Sequence, residues 1–164
     1  MQEIESTFKD ISVSIPEDTK LIITAKKEDL LSILRFLQDK GYNHLALISC
    51  VDWIEEKEFE LVYIITSYLE ENEYTGREKI NIILKTKINR ENPQFITAIP
   101  VFENAEPYER EIHELFGINF KGHPRLTPLF LEREYKIPPF RKDFDTREYV
   151  KEFFNKIPFV DEKK

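Results

Sequence analysis

Three runs in the middle of the chain, 44–53, 58–69 and 79–88, carry the alternation and the β-branched and aromatic content of strands. Only Ile54-Glu55-Glu56-Lys57 separates the first two, so a short hairpin joins them. The third alternates most regularly. Ile80, Ile82, Leu84, Thr86 and Ile88 point one way; Lys79, Asn81, Lys85 and Lys87 point the other, with Ile83 as the apolar exception. A chain built on these runs makes a sheet with one dry face and one largely wet face, and something must cover the dry one.

The cover comes from two helical patterns. In 27–40, Leu30, Ile33, Leu34 and Leu37 share a face that Leu31 and Phe36 widen; Glu28 and Asp29 favour the positive end, and Gly41 stops the helix. The second pattern begins at Asn104, a plausible N-cap, with Pro107 in the first turn and Gly117 suited to a left-handed stop. Tyr108, Ile112, Leu115 and Phe116 fall on one face of it. Residues 20–25 read as a further strand. The lead-in 1–19 is loose, apart from a short edge strand around Ile11, Val13 and Ile15. Residues 70–78 read as a loop, and 89–93 as a break. Residues 94–100 read as either a short helix or an extended run. Asp52, just before the hairpin turn, reads as a turn former. The fold class that follows is α+β: a mostly antiparallel sheet of about four strands packed by helices, occupying residues 1–124.

Residues 125–164 have a different texture. Five of the nine prolines lie between 124 and 158, and periodicity is lost, yet Phe130, Tyr135, Phe140, Phe144, Tyr149, Phe153, Phe154 and Phe159 are still there. That many rings need burial somewhere. Either this arm wraps the chain's own sheet, or it lies over a partner and orders there. A short helix is expected over 146–155.

Charge and cysteine content exclude several classes. Net charge is −7, with 14 basic and 23 acidic groups in residues 1–124 and 10 basic and 8 acidic groups after that. An acidic body argues against nucleic acid, and the mildly basic arm suits an acidic protein surface. Cys50 is the only cysteine, so neither an internal disulfide nor a cluster held by four thiolates is available. Its apolar strand makes it a buried, inert thiol. The acidic start lacks an apolar run, so no signal peptide is expected, and no stretch approaches the ~20 apolar residues of a membrane span. Abundant Lys and Glu with scarce Cys and Met suggest a heat-loving source. There is no phosphate-binding glycine loop and no His-Glu-x-x-His zinc pattern.

Functional residues concentrate in 109–124, which holds two of the four glycines and two of the three histidines. On the polar face of this helix, Glu109 is spaced to meet His113, and Arg110 to meet Glu114, at i,i+4. Taken alone, such pairs are an ordinary solvated face. A sharper alternative is a carboxylate–histidine metal site made from Glu109, His113, Glu114 and His123, with the chain folding back at Gly117 and Gly122.

The wording of this stretch shifts the weight between these readings. Glu109-Arg110-Glu111, Glu114, Phe116-Gly117-Ile118, Phe120 and Gly122-His123-Pro124 resemble the signature of a family in respiratory complex I, that of the 30 kDa-type C subunit of NADH dehydrogenase. Energy-converting membrane-bound hydrogenases share this family. Arg141-Lys142-Asp143-Phe144 resembles a later element of it, and 45–63 its strand, Asp-aromatic turn and strand. The resemblance covers about 28–144. His113 stands where the family has an aromatic residue and Tyr108 where it has tryptophan. Thr127 and Pro128 stand where arginines are usual, which marks a divergent branch.

The resemblance implies a subunit of an oxidoreductase complex that has no active site, metal or cofactor of its own. It implies attachment to the cytoplasmic face of the cell membrane, peripherally and only through other subunits. Iron–sulfur clusters, and in a hydrogenase nickel–iron, would sit in partner chains. The partners would be a nickel–iron-hydrogenase-like large subunit and a cluster-bearing small subunit. Glu109, Arg110, Glu111, Glu114, Phe116, Gly117, Gly122, His123, Pro124, Arg141, Lys142, Asp143 and Phe144 would form the subunit interface, and the chain would brace the large subunit of an ion-translocating hydrogenase or close relative. The equivalent subunit of a quinone-reducing complex I-like dehydrogenase is the alternative within the family; an independent metal-dependent enzyme is the alternative outside it.

Overall fold

The structure is a computed structural model that describes residues 2–17, 19–67, 80–132 and 135–153. In chain order the elements are α1 (Gln2–Thr7), β1 (Ser12–Glu17), β2 (Lys20–Thr24), α2 (Leu30–Asp39), β3 (His44–Trp53), β4 (Glu58–Thr66), β5 (Asn81–Asn89), β6 (Gln94–Ile96), α3 (Ala105–Phe116), β7 (Asn119–Lys121) and α4 (Thr146–Phe153).

Five strands form one sheet in the order β1-β2-β5-β4-β3. Every neighbouring pair is antiparallel except β2–β5, which is parallel. The fold is therefore α+β with a mostly antiparallel sheet, and the edge strand expected in the lead-in is β1. The expected fourth strand, 20–25, is β2. Strand β4 ends at Thr66, short of the expected 69, and the anticipated 70–78 loop lies outside the described residues.

Alternation sets the buried face. On β4 it is Phe59, Leu61, Tyr63 and Ile65, all wholly buried; on β5 it is Ile82, Leu84, Thr86 and Ile88. Leu30, Ile33, Leu34 and Leu37 of α2, and Ile112 of α3, close over the same core. Full burial of each such side chain contributes roughly 1.5–3 kcal/mol. On the opposite face Ile22, Ile83, Ile64 and Leu47 stand in register across four strands, half-buried or exposed.

The lead-in is more ordered than its sequence suggests. In α1 Ile4 is buried, Phe8 meets Phe36 edge-on at 5.8 Å, and Glu3 pairs with Lys40. Phe36 lies at the margin of α2's apolar face, and this contact covers it. Of the two conformations open to residues 94–96, the extended one forms. They make β6, which pairs in parallel with β7 as a small second sheet beside α3. There Phe95 packs edge-on against Phe120 at 6.5 Å.

Candidate functional site

Helix α3 has the bounds its pattern predicts, and Gly117 closes it at φ 80°, donating its N–H to the His113 carbonyl at 2.8 Å. Asn104 holds the N-cap position without capping. Its amide donates instead to the Leu45 carbonyl at 2.8 Å, and the Tyr108 hydroxyl donates to the Ala46 carbonyl at 2.9 Å. These two bonds peg α3 to edge strand β3 where its register with β4 slips, between Leu45 and Leu47.

The polar face of α3 does not point to solvent, because the arm lies on it. Arg110 donates from Nε to the Thr127 carbonyl at 3.0 Å and from Nη2 to the Pro128 carbonyl at 2.9 Å. Glu114 accepts three backbone N–H groups: Leu129 at 2.9 Å, Phe130 at 3.0 Å, and Leu131. One cation takes carbonyls and one anion takes amides, so residues 127–131 are gripped by a matched pair. Burial alone would raise the Glu114 carboxyl, but the N–H groups of Phe130, Leu129 and Leu131 outweigh it and hold it below the ordinary range. Further on, the Phe140 N–H donates to the Leu115 carbonyl at 3.0 Å. Its ring lies 5.9 Å from Phe116, which in turn meets Phe59 at 6.0 Å.

The expected i,i+4 pairs do not form. Arg110 reaches back to Glu106 at 3.4 Å while its main bonds go to the arm, and His113 donates from Nδ1 to the Ile118 carbonyl at 2.8 Å. Glu109 turns inward and is 0% exposed. Its carboxylate accepts the Thr97 hydroxyl and the Ala98 N–H, each at 2.6 Å. His123 donates from Nε2 to the Glu106 carbonyl at 3.2 Å and accepts the Arg125 N–H at 3.0 Å. Backbone partners thus occupy both histidines, and the metal site drawn from Glu109, His113, Glu114 and His123 does not assemble. Among the described residues no three His, Cys, Asp or Glu side chains converge as a metal-binding group.

A second anchor holds the Arg141-Lys142-Asp143-Phe144 segment. Arg90 forks onto Asp52, Nε to Oδ1 at 2.7 Å and Nη2 to Oδ2 at 3.1 Å, and also reaches Asp143 at 2.5 Å. Asp52 accepts the Lys142 N–H at 2.8 Å as well. Asp52 is 4% exposed and Arg90 9%. Desolvation works against the Asp52 charge, yet the Arg90 fork and the Lys142 N–H leave its carboxyl below the usual value. Arg90 and Arg141 lie over the Phe59 ring at 5.7 and 5.5 Å, and Arg141 sits 3.4 Å from Asp143. Asp52 is thus no mere turn former. It is the buried counter-charge that ties the arm to the β3–β4 hairpin.

Arg90 and Thr97 are the residues that sequence reasoning missed. Arg90 falls in the expected break, but parity locates it. Ile88 is on the dry face of β5 opposite Phe59, and Phe59 is opposite Asp52, so the residue two after Ile88 arrives beside Asp52. Its N–H also bonds the Lys57 carbonyl in the hairpin turn at 2.9 Å. Phe144 packs with Tyr135 and Tyr149 at 5.9 and 5.6 Å, seating α4, which begins where the helix over 146–155 is expected to; Phe154 and Phe159 lie outside the described residues. Gly122 has φ 84°, and a Cβ there would meet Thr97 Cγ2 at 3.2 Å. Cys50 is buried, which pushes its thiol up and keeps it inert. Glu111 is half-buried, and Pro124 and Lys142 are exposed, with the Lys142 ammonium 5.9 Å above the Trp53 ring.

This arrangement defines a class: a small α+β domain whose signature helix spends its charges on gripping a C-terminal arm. No helix among the described residues is long and apolar enough to cross a membrane. The chain belongs to the family of the 30 kDa subunit of respiratory-chain NADH dehydrogenase, whose model matches residues 23–150.

Among its relatives is the C subunit of the F(420)H(2) dehydrogenase of Methanosarcina mazei, 37% identical over 63% of this chain and 61% of that protein. The C subunit of the NADH-quinone oxidoreductase of Moorella thermoacetica is 29% identical over 88% of this chain and 92% of that one. The chain spans only 21% of the C/D subunit of the NADH-quinone oxidoreductase of Bdellovibrio bacteriovorus, at 31% identity. Among solved structures, a chain of an archaeal membrane-bound sulfane sulfur reductase superposes with a TM-score of 0.85 at 25% identity, covering 99% of this chain and 94% of that one. A trypsin-resistant fragment of Nqo5 shares the fold, with a TM-score of 0.62 at 23% identity, over 76% of this chain and 96% of the fragment.

Proposed function

We propose that this chain is a non-catalytic peripheral-arm subunit of a membrane-bound, ion-translocating oxidoreductase complex. It braces a large subunit of nickel–iron-hydrogenase descent and sits beside a cluster-bearing small subunit at the cytoplasmic face. The observation that carries this reading is the state of the arm. Its backbone is clamped by Arg110, Glu114 and Asp52, yet Phe130 and Phe140 are 65% and 60% exposed. Rigidly held, exposed aromatics are the anchors that subunit interfaces use. Arg125, Lys142 and Arg147 are exposed on the same arm and suit an acidic partner. The Gly122-His123-Pro124 turn borders this surface.

Within this reading, Arg110, Glu114, Arg141, Asp143 and Phe144 act on the interface by shaping the arm, and Phe116 and Gly117 by seating it. Glu111, His123, Pro124 and Lys142 contact the partner directly. Glu109 acts from the interior. The arm (125–164) is the part that packs on the partner, and residues 1–124 carry it. We favour an energy-converting hydrogenase or an archaeal-type relative. Likeness to a chain of a membrane-bound sulfane sulfur reductase over nearly the whole length supports the archaeal branch. The quinone-reducing alternative draws on the Moorella relative.

Purification of the tagged chain from native membranes in mild detergent tests this. Expected is co-elution with a large subunit and membrane proteins, with metal in the complex and none on the isolated chain. Nickel ligands in that large subunit would select hydrogenase over a sulfur or quinone reductase. Elution alone with about one equivalent of metal would refute the reading. A double Phe130→Ala, Phe140→Ala variant will lose the partner, by at least ~2 kcal/mol for a pair of anchor residues. Its own unfolding free energy will fall by only about 0.5–1.5 kcal/mol, the worth of the edge-on contact that Phe140 makes with Phe116. Retained co-elution would place the interface elsewhere.

A further inference from the structure

We propose that Glu109 is a buried proton-binding site whose charge state sets how firmly α3 holds the β6–β7 platform. It stands apart from the arm clamp, where α3 bonds the turn that follows β6. The carboxyl is wholly buried, and no cation among the described residues reaches it: Arg110 turns to Thr127 and Pro128, and Arg125 to Glu106. Its two partners, the Thr97 hydroxyl and the Ala98 N–H, are neutral.

The groups facing it add no positive charge. From β4 comes Tyr63, whose buried hydroxyl lacks a hydrogen-bond partner and feels the Glu109 charge. Behind Tyr63, Cys50 of β3 and Thr86 of β5 flank Leu61, and the Thr86 hydroxyl is likewise buried without a partner. Within α3, Glu106 adds negative charge. A carboxylate so placed is costly to keep ionised. Burial raises it most, the Thr97 and Ala98 donors pull it partly back, and it settles at about 7.

The two states bond differently at the same atoms. Ionised, Glu109 accepts from Thr97 and Ala98. Protonated, it can donate to the Thr97 oxygen, which also accepts the Ile99 N–H at 3.2 Å. The sign is fixed by the direction of the shift. With its folded value raised above the unfolded 4.5, Glu109 supports the fold fully below 4.5 and loses that support as pH rises to about 7. Above that the α3–platform contact loosens. Thr97 N–H bonds the Lys121 carbonyl at 3.0 Å, so the loosening passes to β7 and the Gly122-His123-Pro124 turn.

The test is a carbon-13 NMR titration of the full chain labelled at glutamate side-chain carboxyls, from pH 4 to 9. Glu109→Gln, a neutral isostere, identifies the signal by its loss. A midpoint near neutral, moving upward by about one unit in Thr97→Val through loss of one hydrogen bond to the charged form, would support the proposal. A midpoint in the ordinary carboxylate range, no titration at all, or a midpoint indifferent to Thr97→Val would overturn it. Exchange of the Ala98 amide, corrected for intrinsic base catalysis, will accelerate above neutral pH in the wild type and not in Glu109→Gln. Equal acceleration in both would also overturn it.

Discussion

Replacing Arg90 with alanine will destabilise the chain by about 3–5 kcal/mol, the usual cost of removing one partner from a buried ion pair. Asp52 is left in the core with one remaining bond, from the Lys142 N–H, and a carboxylate that nothing neutralises. Urea unfolding at neutral pH measures this through the midpoint at unchanged slope. The loss should have two further signs. Asp143→Asn will cost much less, within ~1 kcal/mol, because that partner is more than a third exposed. Trypsin will cut Arg90→Ala in the arm faster, since Arg90 is also the arm's anchor. A loss below about 1 kcal/mol would mean that water reaches Asp52 and the cluster is not buried in solution.

Glu114→Ala will release the segment 127–131 at a cost of about 1.5–3 kcal/mol, the range for hydrogen bonds to a charged group. Three N–H groups lose their acceptor, and Arg110 alone cannot orient them. The pH dependence identifies the mechanism. Glu114 is held below its unfolded value, so its support is present above 4.5 and drains away as pH falls through the folded value. Acid should therefore free the arm of the wild type while leaving Glu114→Ala unchanged, read as exchange protection of the Leu129 and Leu131 amides. Protection that persists in Glu114→Ala would show that the arm is held by its rings instead. Glu109, five residues earlier on the same helix, responds to pH in the opposite sense. Burial without a cation raises one carboxyl, and three amide donors lower the other.

These two carboxylates show where sequence reasoning reaches its limit. Both stand on the polar side of α3 by count, and spacing alone pairs each with a neighbour at i,i+4. Local spacing describes an isolated helix. It does not register that Thr97 and Ala98 lie against one turn of it, and residues 129–131 against the next. The same holds for Asp52. Next to a hairpin it reads as turn chemistry, and only the alignment of β3, β4 and β5 brings Arg90 and then Asp143 to it.

What the sequence determined by itself was everything set by short-range periodicity and special backbone needs. Strand alternation determined which face of the sheet is dry. The apolar spacing determined α2 and α3. Gly117 determined where α3 ends, because a left-handed residue stops a helix, and the 109–124 wording carried the family. Tertiary structure alone decided which charges are buried, which backbone groups they satisfy, and that the arm's backbone belongs to this domain while two of its rings face outward. The physical reason is that a buried charge is settled by whatever long-range contact surrounds it. Here those contacts link Arg90 to Asp143 and Glu114 to Leu131, partners distant along the chain that no local pattern connects.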